Sequence, residues 1–148
     1  MFLFGRDDLV ARSERAFARE REVRFQDVDA AGIVFYVRFF DYFHDVWADF
    51  LRASGEPLDR ALRDGRWGAP LRHAEADYFK PLRFGDPIEV SIVRAHVEPT
   101  EVTVGYRIGR PDGETVAVGQ TVHTFIDPGR FRRSEMPGTL REAFGRIG

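Results

Sequence analysis

Residues 36–54 read YVRFFDYFHDVWADFLRAS, and the spacing of their apolar positions decides the fold. Phe39, Phe40, Phe43, Val46, Trp47, Phe50 and Leu51 recur at three- and four-residue intervals, which places them in one broad stripe of an α-helix. Arg38, Asp41, Asp45, Asp49 and Arg52 fall on the opposite face, and Gly55 followed by Pro57 stops the run. At 1.5 Å per residue the helix from Tyr36 to Ser54 would be about 28 Å long. A stripe that wide needs a curved sheet to cover it.

The flanking sequence supplies strands. Arg21 to Phe25 alternates, with Val23 and Phe25 on one side and Glu22 and Arg24 on the other. After a short helix over Pro57 to Asp64, ended by Gly65, strands are predicted at Leu71 to Phe79, Pro87 to Val97, Glu101 to Ile108 and Glu114 to Ile126. Arg110-Pro111-Asp112-Gly113 is a hairpin turn, because proline presets φ and glycine tolerates positive φ. Residues 6–18 fit either a short helix or the approach to the first strand. The tail from Asp127, with a short helix near Leu140 to Phe144, reads as peripheral. One long helix followed by a meander of strands defines an α+β domain with the helix on one sheet face, and residues 1–148 are expected to form it as a single unit.

Composition narrows the function. Lys and Arg number 22 against 24 Asp and Glu, interspersed along the chain, so no basic footprint for nucleic acid is present. Cysteine is absent, which excludes thiolate catalysis and Cys-ligated metal sites. No run approaches the ~20 apolar residues of a membrane span. Met1 to Gly5 is apolar but shorter than a signal-peptide core, so a cytoplasmic protein is expected.

The chemistry is concentrated between the first strand and the long helix, in Phe25-Gln26-Asp27-Val28-Asp29-Ala30-Ala31-Gly32-Ile33-Val34-Phe35-Tyr36. Two carboxylates precede a helix N-terminus, where unpaired N–H groups and the positive dipole end stabilise an anion. Spacing alone leaves two readings open: Asp27 and Asp29 as turn and capping residues, or one of them as a reacting carboxylate. An Asp-x-Asp metal site is a third, but no His-x-His or acidic cluster completes it, so no metal is expected.

The run Asp27-x-Asp29-x-x-Gly32-Ile33-Val34-Phe35-Tyr36, followed by an aromatic amphipathic helix, resembles the 4-hydroxybenzoyl-CoA thioesterase family. The similarity continues through Gly68-Ala69-Pro70-Leu71, Ala76-Asp77-Tyr78-Phe79, Arg83-Phe84-Gly85-Asp86, and then Gln120, His123 and Phe125, over roughly residues 20–137. It implies a hotdog fold, a homodimer or homotetramer with active sites shared between subunits, and hydrolysis of acyl-CoA or another acyl thioester. It implies Asp29 as nucleophile or general base, Asp27 as a structural residue, and the Tyr36 backbone N–H as the oxyanion donor. Gly32, Phe35, Phe39, His44, Pro70 and His73 are the corresponding substrate-binding positions. No cofactor is implied beyond the CoA of the substrate.

Two departures from the prototype bear on the substrate. His44 stands where the prototype meets a ring hydroxyl with an acid, so benzoyl-, phenylacetyl- or short aliphatic-CoA is expected to be hydrolysed at least as well as 4-hydroxybenzoyl-CoA. The acyl pocket is expected from Phe35, Tyr36, Phe39 and Phe40. The prototype's phosphate-binding bases fall near His96 to Thr100, which contains no Arg or Lys, leaving Arg94, Arg130, Arg132 and Arg133 as substitutes. His96 and His123 are assigned structural roles. A hotdog dehydratase and a non-catalytic acyl-CoA sensor are the alternatives; the first lacks a His–acid pair here, and thiol release from an acyl-CoA panel separates all three.

Overall fold

The computed structural model describes residues 1–148. In chain order it contains α1 (Arg6–Val10), β1 (Phe17–Glu22), a 3₁₀ turn (Phe25–Asp27), α2 (Arg38–Ala53), α3 (Leu58–Asp64) and β2 (Leu71–Tyr78). Strands β3 (Pro87–Glu98), β4 (Glu101–Gly109), β5 (Thr115–Thr124), β6 (Ile126–Asp127) and β7 (Arg132–Arg133) follow, then α4 (Gly138–Ile147). The five long strands form one antiparallel sheet in the order β1-β3-β4-β5-β2, and β6 pairs with β7. This is the hotdog architecture, with α2 lying across the concave face of the sheet.

The aromatic stripe of α2 packs on the inward residues of the sheet, among them Ile88, Val90 and Ile92 of β3 and Val102, Val104, Tyr106 and Ile108 of β4. Phe43 stacks on Tyr106 at 4.8 Å. A Cβ on Gly119 would collide with the Phe43 ring and the Glu75 carbonyl, so glycine at this β5 position is what lets the helix sit down on the sheet. Irregular register between Ile92 and Arg94 marks a bulge in β3, a feature that bends a strand and increases its twist.

Three segments differ from their sequence reading. The first strand lies earlier than Arg21 to Phe25, because the Asp27 carboxylate accepts the Arg24 N–H at 3.0 Å and winds the chain into the 3₁₀ turn. Val23 is fully buried as expected, but Phe25 is 76% exposed. The expected strand from Glu114 to Ile126 ends at Thr124, and the chain then enters the small β6–β7 ribbon. The tail is not peripheral: Leu140, Ala143, Phe144 and Ile147 recur at helical spacing and enter the main core, with Phe144 4.7 Å from Phe50.

Residues 2–10 cover the opposite face of the sheet. The Phe4 N–H and C=O pair with the Gln120 amide at 2.8 and 3.0 Å, Thr103 donates to the Phe2 carbonyl at 2.7 Å, and Leu9 is buried with Val93 and Val118. No helix is long and apolar enough to cross a membrane.

At the far end of the helix–sheet contact, Trp47 stacks on His123 at 4.4 Å and 7° between planes. Burial pushes the His123 pKa down to about 4. An unfolded histidine takes up its proton near pH 6.5, so between those values the unfolded chain holds more protons than the folded one. Stability is therefore fully present above pH 6.5 and is lost as pH falls toward 4, by up to about 3 kcal/mol. Urea titrations at pH 7.0, 5.5 and 4.5 should show this fall, and His123→Phe should flatten it. Phe144→Ala should cost about 3–5 kcal/mol in the same assay, the range for truncating a buried aromatic, whereas a peripheral tail would lose almost nothing.

Candidate active site

The two aspartates of the motif have opposite environments. Asp27 is buried; its Oδ2 accepts the Arg24 N–H and the Tyr42 hydroxyl at 2.9 Å, and its carbonyl accepts the Phe35 N–H at 2.9 Å. It thereby ties the 3₁₀ turn to the body of α2 and to the residues just before it. Burial, reinforced by the Asp27 carboxylate, raises the Tyr42 pKa, which keeps that hydroxyl a donor.

Asp29 sits at the tip of a tight turn closed by the Val28–Val34 bridge. Its N–H donates to Ile33 O at 2.9 Å, and its carbonyl accepts the Gly32 N–H at 3.0 Å, with Gly32 at φ 81°. One carboxylate oxygen, Oδ1, accepts the Ala31 N–H at 2.8 Å, while Oδ2 has no partner in the chain. The side chain is exposed.

The start of α2 supplies donors. Arg38 N–H bonds Phe35 O at 2.8 Å and Phe39 N–H bonds Tyr36 O at 3.3 Å, but the N–H groups of Tyr36 and Val37 donate to nothing within the chain. No side chain caps this helix. Two free N–H groups at a positive dipole end form a ready anion site. Tyr78, at the end of β2, donates its hydroxyl to Tyr36 O at 3.2 Å and so holds the helix start against the sheet edge.

An apolar groove of about 400 Å³ runs along the flank of the same helix. Phe40, His44 and Trp47 of α2 form one wall, Leu58 and Leu62 of α3 another, and Pro70, Leu71, Thr121 and His123 the sheet side. From Tyr36 the helix rises one turn to Phe40 and about 12 Å to His44. Of the positions expected to bind substrate, His44 and Pro70 line the groove. Phe35 is exposed beside Tyr36, Gly32 belongs to the Asp29 turn, and His73 bonds Glu75 at 3.0 Å outside the groove. Phe39 is a core residue, packed against Tyr42 and Tyr78 at 6.0 and 4.9 Å, so the expected wall of Phe35, Tyr36, Phe39 and Phe40 does not form within one chain.

The sequence reading missed Trp47, Thr121 and Tyr106 as groove residues and took His123 as structural only. A signal existed, since Thr121 and His123 are two apart on β5 and share a face. His123 Nε2 lies 3.0 Å from Thr121 Oγ1, which is 2.9 Å from the Tyr106 hydroxyl, and His123 Nδ1 is 3.1 Å from Ala69 O. Trp47 Nε1 is the one buried side-chain polar atom without a partner. A larger cleft of about 700 Å³ opens on the other face of the sheet, but its walls carry Arg12, Glu20, Glu22, Glu89 and Arg107 and none of the motif residues. The turn at Pro99 and Thr100, bare of bases in sequence, receives two from the C-terminal segment: Arg133 reaches Thr100 Oγ1 at 3.4 Å and Arg141 reaches Pro99 O at 3.0 Å. Arg94 instead turns to the Val93 carbonyl at 2.8 Å.

Known proteins align with this chain over the same span. The family model described as thioesterase-like superfamily matches residues 23–144. A 1,4-dihydroxy-2-naphthoyl-CoA hydrolase of Rippkaea orientalis is 32% identical over 82% of this chain and 90% of its own length. Its counterpart in Gloeothece citriformis is 30% identical, over 86% and 90%. The crystal structure of a 1,4-dihydroxy-2-naphthoyl-CoA thioesterase from Synechocystis matches with a TM-score of 0.82 at 25% identity, covering 88% of this chain and 96% of that one. Family model, relatives and fold agree: the chain belongs to the thioesterase-like superfamily, a hotdog-fold family of thioester hydrolases.

Proposed function

We propose that this chain hydrolyses an aromatic acyl-CoA to the free acid and CoA, with Asp29 as the reacting carboxylate. The observation that supports this reading is an exposed carboxylate in the turn that leads into α2, followed along the chain by free backbone donors at the start of that helix. The Tyr36 N–H, with Val37 beside it, would hold the thioester oxygen as negative charge develops on it. Losing one such donor typically costs about 3–4 kcal/mol of transition-state stabilisation. Asp29 either attacks the carbonyl carbon, expelling the CoA thiolate and leaving an anhydride that water opens, or takes a proton from the attacking water. Water is the only other reactant in either route. The relatives named for 1,4-dihydroxy-2-naphthoyl-CoA support a planar aromatic acyl group, and the groove's walls of Phe40, Trp47, Pro70 and Leu71 suit one.

The site is completed by a second copy. Strand β2 is an edge of the sheet, and Leu71, Tyr78 and Phe79 along it are exposed, as are Phe35, Tyr36 and Val37 beside it. An unpaired edge flanked by apolar side chains favours pairing with another chain. Antiparallel pairing of two β2 strands about a two-fold axis would bring the Leu71 end of one copy, which borders its groove, to the Tyr78 end of the other, beside Tyr36. The acyl group would then lie between the Asp29 turn of one subunit and the groove of its partner.

Thiol release from a panel of aromatic, short-chain and long-chain CoA thioesters tests the activity, with aromatic members expected to give the highest kcat/KM. Asp29→Asn should retain fold and oligomeric state while turnover falls about 100-fold or more, the effect of losing a positioned acid–base group; near-full kcat in that variant would exclude Asp29. Light scattering at micromolar concentration should give at least twice the chain mass of 17.0 kDa. A fully active monomer would exclude the shared site.

A further inference from the structure

The polar floor of the groove has a direction, and it follows from a single fixed acceptor. The Ala69 carbonyl, 3.1 Å from His123 Nδ1, can only accept, so Nδ1 carries a proton. Burial of the ring disfavours a second proton, which leaves Nε2 as an acceptor. Thr121, 3.0 Å away, must then donate its single hydroxyl proton to Nε2. That proton being spent, the Tyr106 hydroxyl, 2.9 Å from Thr121 Oγ1, is the donor of their bond. Burial raises the Tyr106 pKa, so that proton stays in place.

Every proton of this wire is committed, and Thr121 Oγ1 keeps one unused lone pair. Trp47 Nε1, the buried side-chain donor without a partner, is inaccessible from the groove surface, and His44 stands at the exposed rim. A substituent that only accepts, such as an ether or a carboxylate oxygen, meets oxygen lone pairs at this floor. A substituent that donates finds a partner.

We propose that Thr121 is a specificity-determining residue that reads a hydrogen-bond donor, a ring hydroxyl or amine, on the acyl group. The inference rests on the groove being the acyl site. It is separate from the expectation drawn from His44, which concerns a 4-hydroxy substituent alone, because the donor-seeking group lies across the groove on β5 rather than on the helix.

The test uses the whole protein and matched CoA thioesters: benzoyl, and its hydroxy and methoxy derivatives at each of the three ring positions. Methoxy keeps the acceptor and removes the donor. In the wild-type enzyme at least one position should show a hydroxy-over-methoxy ratio in kcat/KM of about 10- to 100-fold, the discrimination available to one polar contact in an apolar pocket. Thr121→Ser should keep that ratio and Thr121→Val should bring it toward one. Tyr106→Phe should keep it within about threefold, since Thr121 still donates to His123 and still has a lone pair to offer. A ratio unchanged in Thr121→Val overturns the proposal, and so does a wild-type ratio near one at every position, which needs no variant to fold. Failure to hydrolyse any aryl thioester would instead overturn the aromatic acyl-CoA reading on which the proposal rests.

Discussion

The contact on which the rest of the structure depends is the seating of Phe43 between Tyr106 and Gly119. The ring stacks on Tyr106 at 4.8 Å, and the missing Cβ of Gly119 leaves it room against the backbone of β5. This close approach sets the height of α2 above the sheet. It determines where the helix begins relative to the edge strand, and so where the free Tyr36 and Val37 N–H groups lie. It also sets the width of the groove between Trp47, Pro70 and His123. A larger residue at 119 would lift the helix and widen that groove while separating Tyr78 from the Tyr36 carbonyl.

One helix thus packs on the sheet and lines the groove at once, and neighbouring positions divide the two faces. Phe39 and Phe43 are buried, while Phe40 and His44, one residue further round the helix, face the groove. Asp27 and Asp29 divide in the same way. The change from the 3₁₀ turn that ends at Asp27 to the turn at Asp29 leaves one carboxylate inward, where it meets Tyr42, and the other outward at a turn tip. A buried carboxylate is stable only with hydrogen bonds made, and both donors to Asp27 meet Oδ2, whereas Asp29 lies at the surface.

The ends of the chain close the structure. Residues 2–10 cover the convex face of the sheet and bury Thr103 and Gln120 through backbone hydrogen bonds, and α4 fills the core beside Phe50. Both ends make contacts distant in sequence, so their weight in the fold could not be judged from local pattern alone. The same holds for Arg133 and Arg141, which supply guanidinium groups to a β3–β4 turn that carries none of its own.

By itself the sequence determined the long helix, the strands after it, the hairpin at Arg110 to Gly113, and the turn that carries Asp27 and Asp29. These are written in apolar periodicity and in glycine and proline positions, which are properties of neighbouring residues. The family motif added Asp29 and the Tyr36 N–H as a candidate pair. Tertiary structure alone decided that Phe25 is exposed, that Phe39 is buried within the chain, and that His123 and Thr121 of the last long strand meet Trp47 of the helix at the groove. It alone fixed the proton order from Tyr106 to Ala69, because a hydroxyl's role is set by its partners, and these come from three elements distant along the chain.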